Sequence, residues 1–95
     1  MKRLRRHPRE PIGGRVRITW SPPSGQAQYV VCEAMDISET GVRIEAFPGL
    51  SAGEPVQIEW ATGDKCRGVI AWVAKGQAGI AFDAPIDLKI FDFAA

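Results

Sequence analysis

Short segments in which hydrophobic and polar residues alternate recur along most of the chain, separated by residues that favour turns. In the segment 15–20, Val16, Ile18 and Trp20 fall on one face and the intervening polar residues on the other. Comparable segments follow at intervals of about ten residues, a pattern typical of all-β domains. Six strands are therefore predicted, over residues 15–20, 29–35, 42–46, 56–60, 66–74 and 78–82.

The connections between these segments are short and rich in proline and glycine. Residues 21–25 and 47–55 each contain two prolines, which favour loops over continued strands. The last two strands form a predicted hairpin across Lys75-Gly76-Gln77. Its predicted inward residues are Ile70, Trp72, Ile80 and Phe82.

Helical periodicity is weak throughout, and only residues 86–93, after Pro85, could form a short helix. Many short antiparallel strands usually close into a barrel, because closure removes exposed edges. The predicted fold is all-β, a six-stranded antiparallel β-barrel over residues 15–95. It is preceded by a flexible basic arm over residues 1–14 and carries at most a short C-terminal helix.

Charge is distributed unevenly along the 95 residues, although the formal net charge is only +1. A cationic arm precedes an anionic body, and such arms often bind polyanions. A solvated tail that keeps the protein in solution is the alternative reading. Seven of the twelve basic residues lie within the first 17 positions: Lys2, Arg3, Arg5, Arg6, Arg9, Arg15 and Arg17.

Several function classes are disfavoured by the composition. General acid–base catalysis most often uses histidine, and the one histidine, His7, lies in the arm. No common catalytic motif is present. Cys32 and Cys66, with His7, are too few for a standard zinc site and are predicted to be buried thiols in a reducing cytoplasm. No apolar run approaches the roughly 20 residues that cross a bilayer, and no secretory signal is evident.

The first pattern that could carry chemistry is Arg5-Arg6-His7-Pro8-Arg9, in which Arg5 and Arg9 are separated by three residues. Guanidinium groups present rigid forks of donors that match phosphate oxygens and the edge of guanine, and they stack on base faces. Several arginines in one short stretch can therefore engage a single nucleotide ligand. Clusters of this kind are also common in disordered tails.

The second pattern, Asp36-Ile37-Ser38-Glu39-Thr40-Gly41, lies between two predicted strands. These residues favour turns, with Asp36 accepting hydrogen bonds from backbone amides and Gly41 supplying a positive φ angle. The same geometry would hold a carboxylate and a hydroxyl, that of Ser38, at the surface of the barrel. The carboxylate could accept hydrogen bonds from N1–H and N2–H of guanine, and Gly41 would let a ligand approach the backbone.

The order of the two patterns resembles the PilZ family, whose members bind the bacterial second messenger cyclic di-GMP. The resemblance runs from Arg5 to about Phe82 and includes Trp72 before the final Gly-Ile-Ala-Phe strand. It implies that Arg5 and Arg9, with Arg6 nearby, contact phosphates and guanines, and that Asp36, Ser38 and Gly41 form the other half of the site. Leu4 stands where some members carry another arginine, which favours one bound nucleotide over a stacked pair; Arg3 and Arg6 leave the pair open.

The resemblance also implies a mechanism and a kind of partner. The arm would become ordered over cyclic di-GMP, and this free-standing receptor would then dock onto a protein of the motility, exopolysaccharide or virulence machinery.

One alternative is a PilZ-like adaptor that works without nucleotide. A small β-barrel that binds nucleic acid is another, but the predicted inward phase of Trp20, Trp60, Trp72 and Phe82 argues against it, because such sheets display aromatic residues outward. Arg43 and Arg67 are predicted to face solvent, with lining of the ligand surface as the alternative.

Overall fold

Six antiparallel strands form a closed barrel in the part of the chain that the structure describes, residues 10–21 and 25–87, with side chains from residue 14 onward. The structure is a computed structural model. The strands are β1 (Glu10–Trp20), β2 (Gln28–Ile37), β3 (Gly41–Glu45), β4 (Pro55–Glu59), β5 (Lys65–Ala74) and β6 (Gln77–Phe82). Around the barrel they follow the order β1-β2-β3-β6-β5-β4.

The predicted all-β fold and six-stranded barrel are confirmed. Arg5, Arg6, Arg9 and most of the predicted helix over residues 86–93 lie outside the described residues.

The barrel closes because β1 pairs with β2 on one side and with β4 on the other. Each described strand therefore has two neighbours, and its backbone groups are satisfied without an exposed edge. The side chains that point inward form one hydrophobic core. Burying each of its larger aliphatic side chains stabilises the fold by roughly 1.5–3 kcal/mol. The buried hydrophobic residues are Val16, Ile18, Trp20, Cys32, Ala34, Ile37, Val42, Ile44, Leu50, Val56, Ile58, Trp60, Ile70, Ala78 and Ile80.

Strand β1 begins at Glu10, five residues before the strand predicted from alternation. The extra residues pair with the end of β2, where Pro11 is the register partner of Asp36. An irregularity between Pro11 and Gly14 separates this pairing from the rest of the strand. Alternation misses the extension because a bulge interrupts the two-residue period. The division of the chain into an arm and a barrel domain stays a prediction.

Two further register irregularities change which side chains face outward. One lies in β2 between Ala34 and Asp36, and the other in β5 between Ile70 and Trp72. A bulge adds one residue to a strand, so every residue beyond it switches face. Trp72 is consequently 41% exposed, and its predicted inward orientation is wrong. The argument that inward-facing aromatic residues disfavour nucleic-acid binding therefore does not apply to Trp72.

The remaining inward predictions for the last hairpin agree with the structure. Ile70 and Ile80 are buried, and Phe82 is partly buried against the core. The hairpin turns at Lys75-Gly76, and both residues have positive φ angles, 54° and 77°. Such a two-residue turn matches the twist of the flanking strands.

The two cysteines are reduced, and they lie on the inner side of the barrel. Cys32 is buried as predicted, whereas Cys66 is only partly buried. Burial, with smaller contributions from the negative charges of Glu45 and Glu33, raises the pKa of the Cys32 thiol to about 11. Burial also raises the pKa of Cys66, although a hydrogen bond from Trp60 opposes that rise. Both groups are therefore neutral thiols near pH 7.

Candidate functional site

A cavity of about 540 Å³ opens on the outer face of the barrel where β2, β3, β6 and β5 run side by side. Its volume falls within the range of about 300–1,000 Å³ that is usual for small-molecule sites. Residues Asp36, Arg43, Gly79 and Trp72 form one row across these four strands, each paired in register with the next. The cavity is lined by Asp36, Thr40, Gly41, Val42, Arg43, Ala71, Trp72, Gly79, Ile80 and Ala81.

The polar end of the cavity is an ion pair between neighbouring strands. Arg43 Nη2 donates a hydrogen bond to Asp36 Oδ2 at 2.5 Å. The other terminal nitrogen, Nη1, donates to Gln77 Oε1 at 3.3 Å. The Asp36 side chain is 15% exposed and that of Arg43 is 40% exposed. The pair therefore lies at the surface of the cavity, where a ligand can reach it.

The aromatic end of the cavity is the indole ring of Trp72, which lies against Gly79 of β6. A Cβ atom at position 79 would collide with Nε1, Cε2 and Cδ1 of that ring. Glycine leaves room for the ring, which occupies the space that a side chain at position 79 would take. An exposed indole held in place beside polar groups is a suitable surface for stacking a planar base.

The β2–β3 connection is tighter than predicted, since Asp36 still belongs to β2 and Gly41 begins β3. The Ser38 N–H donates to the Gly41 carbonyl at 2.8 Å, and the Thr40 N–H donates to Ser38 Oγ at 3.3 Å. Gly41 does not have a positive φ angle, so that prediction is wrong. The glycine is required for a different reason, because a Cβ there would lie 2.5 Å from the Ile80 carbonyl oxygen.

The predicted site residues are partly brought together by the fold. Asp36 and Gly41 line the cavity. Arg43, predicted to face solvent with lining of the ligand surface as the alternative, also lines it, and its side chain is 40% exposed. Ser38 is buried and does not line it, so a direct role of its hydroxyl toward a ligand stays a prediction. The roles of Arg5, Arg6 and Arg9 also stay predictions, since these residues lie outside the described part of the chain.

Trp72 is the site residue that sequence reasoning missed. Simple alternation from Ile70 places it inward, and only the bulge in β5 reverses it. One signal was present in the sequence. Residues 69–74 form an unbroken apolar run, which does not fit a strand with one hydrophobic and one polar face.

The lining residues supply a carboxylate, a guanidinium and an aromatic face, a combination that suits a planar base carrying polar edges and a nearby negative charge. Within residues 10–21 and 25–87, no three His, Cys, Asp or Glu side chains lie close enough together to hold a metal ion. The same residues include no helix long and apolar enough to cross a membrane.

The sequence model of the PilZ domain matches residues 3–91 of this chain. The chain belongs to the PilZ domain family. PilZ domains bind cyclic di-GMP, act as receptors rather than enzymes and typically interact with protein partners. The match includes both sequence patterns, from Arg5 to Arg9 and from Asp36 to Gly41. A search among curated proteins found no relative.

Proposed function

We propose that this PilZ domain binds cyclic di-GMP in the cavity formed by Asp36, Arg43 and Trp72. The ligand is a dianion with two guanine bases. The Asp36 carboxylate accepts hydrogen bonds from N1–H and N2–H of one guanine, because an ionised carboxylate offers only acceptors. The Trp72 indole stacks on a base, a contact worth about 1–3 kcal/mol.

The arginine arm supplies the charge that the ligand phosphates need. Among the described residues that line the cavity, Arg43 is the one cation and Asp36 the one anion, so this surface is close to neutral. Binding of a dianion requires further positive groups. We propose that Arg5 and Arg9 bind the phosphates and stack on a guanine, with Arg6 beside them.

The observation that carries this proposal is the register of Pro11 with Asp36. Arg9 is bonded to Glu10, the first residue of β1, so its Cα lies about 3.8 Å from that residue. Arg5 can lie no more than about 18 Å from Glu10 along an extended chain. The start of β1 thus supports a site in which both sequence patterns contact one ligand.

Signal output follows from ordering of the arm. An arginine-rich segment buries too little surface to fold alone, so ligand contacts must offset its conformational entropy. The ordered arm and the nucleotide then form a new surface that a partner protein recognises, which is an order–disorder switch. Cyclic di-GMP is a bacterial second messenger, which fits the cytoplasmic location predicted from the sequence.

Calorimetric titration of the full chain with cyclic di-GMP tests the proposal. We expect saturable binding, and Arg9→Ala and Asp36→Ala should each weaken it by about 1–3 kcal/mol, the size of a hydrogen bond to a charged group. Arg15→Ala is the matched control, because Arg15 does not line this cavity and its side chain pairs with Glu33 on the exposed surface. Binding that none of these variants changes contradicts the site. A partner that is captured equally with and without nucleotide supports the adaptor function instead.

A further inference from the structure

Arg43 is held between acceptors from two different strands. Its Nη2 donates to Asp36 on β2, and its Nη1 donates to Gln77 on β6. The Nε atom is buried and has no hydrogen-bond partner among the described residues. The guanidinium plane is therefore fixed by two contacts on opposite sides, and the Asp36 carboxylate is fixed along with it.

Orientation of this carboxylate matters because guanine presents two adjacent donors, N1–H and N2–H. A carboxylate can accept from both only when its plane lines up with the edge of the base. Asp36 lies beyond the bulge in β2, on the outer face of the barrel. A carboxylate that is held less firmly samples more rotamers, and ordering it would weaken binding.

We propose that Arg43 is a positioning residue that aligns the Asp36 carboxylate with both guanine donors and thereby sets the preference for guanine. This inference rests on the proposed function. Accepting a hydrogen bond from Arg43 does not exclude guanine, because an ionised carboxylate has about four acceptor positions. The proposal differs from a role as a counter-charge, since a counter-charge attracts every cyclic dinucleotide equally.

Two ligands separate the roles: cyclic di-GMP and cyclic di-IMP, whose hypoxanthine bases retain N1–H but lack the 2-amino group. Their charges are identical, so the ratio of their dissociation constants reports the second hydrogen bond alone. With the parent protein we expect cyclic di-GMP to bind about tenfold more tightly, as expected for one hydrogen bond to a charged group. Arg43→Gln should bring the ratio close to one, and Arg43→Lys, which keeps the charge without the fork, should lower it partly.

Arg15→Gln is the control for loss of one positive charge, since Arg15 pairs with Glu33 at 3.8 Å on another part of the surface. It should leave the ratio unchanged. If Arg43→Gln does not fold, as judged by thermal unfolding, Gln77→Leu provides the second variant because it removes one of the two contacts that hold Arg43. It should lower the ratio in the same direction.

The outcomes distinguish this inference from the proposed function. Equal weakening of both ligands by Arg43→Gln, or no effect on either, overturns the positioning role while leaving cyclic di-GMP binding in place. Failure of the parent protein to bind cyclic di-GMP overturns the proposed function itself. A fall in the ratio with Arg43→Gln but not with Arg15→Gln supports the inference.

Discussion

The indole ring of Trp72 on β5 lies against Gly79 on β6, so closely that only a hydrogen atom fits on the glycine Cα. The contact holds an exposed aromatic ring at the edge of the cavity. The other two tryptophans are in the core, with Trp20 8% and Trp60 4% exposed, against 41% for Trp72. A ligand in the cavity therefore contacts one tryptophan of the three.

This difference in exposure predicts a spectroscopic signal. Titration with cyclic di-GMP should change the intrinsic tryptophan fluorescence, because a base stacks on Trp72. Trp72→Phe should remove the change while retaining a ring for stacking, and Trp72→Ala should weaken binding by about 1–3 kcal/mol. Calorimetry on the same variants separates loss of signal from loss of binding. A ligand-induced change that persists in Trp72→Phe would show that the base does not stack on this ring.

The glycines at positions 41 and 79 should respond differently to alanine. At Gly41 the new Cβ would lie 2.5 Å from a backbone oxygen of Ile80, which cannot rotate away. We expect Gly41→Ala to lower the free energy of unfolding by about 3 kcal/mol, the upper end of the usual cost of overpacking.

At Gly79 the new Cβ would meet the side chain of Trp72, which is partly exposed and can move toward solvent. Gly79→Ala should therefore cost less than about 1 kcal/mol of stability. It should weaken cyclic di-GMP binding about as much as Trp72→Ala does. Urea denaturation and calorimetry measure the two effects, and equal stability losses for the two glycine variants would contradict the argument.

The Asp36–Arg43 pair should contribute a measurable coupling energy. One partner is 15% and the other 40% exposed, so solvent screens the pair only partly. A double-mutant cycle with Asp36→Asn and Arg43→Gln should give about 0.5–1 kcal/mol of coupling in the free energy of unfolding, falling at high salt. The comparison is the Arg15–Glu33 pair, at 3.8 Å and with side chains 77% and 51% exposed. That pair should show almost no coupling, and a similar value for both would contradict the structure.

Stability should depend on pH through Cys32. Its pKa is about 11 in the folded protein, against 9.0 for an unperturbed thiol. The folded state thus binds this proton more tightly than the unfolded state. The contribution of the neutral Cys32 thiol to the free energy of unfolding is fully present below about pH 9 and is lost as the pH rises to about 11. This contribution amounts to about 2–3 kcal/mol.

Cys32→Ala is the reference for this measurement, since every other titrating group is shared between the two proteins. The difference in free energy of unfolding between the parent and the variant, from urea denaturation, should shrink between about pH 9 and 11. A difference that stays constant over this interval would mean that burial does not hold the thiol neutral.

Alternation and turn chemistry, both local in sequence, were enough to determine the all-β class, the barrel and most of its core. Inward residues such as Val16, Ile18 and Ile80 repeat every second position, and two-residue periodicity assigns faces wherever a strand is regular. The residue types of the Asp36–Gly41 segment indicated a turn, and together with the Arg5–Arg9 pattern before it they indicated the family. These features required no knowledge of which strands are neighbours.

The cavity was decided by the tertiary structure. The bulges before Asp36 and before Trp72 turn both side chains outward, and Arg43 meets Asp36 only because β2 and β3 pair in that register. Gly41 and Gly79 allow close contacts with Ile80 and Trp72, which are 39 and seven residues away along the chain, and neither glycine has a positive φ angle. A bulge or a close approach depends on the strand alongside. Periodicity within one segment therefore cannot reveal the bulges or the close approaches at the glycines. The closed barrel imposes both features through the hydrogen bonds and packing between strands.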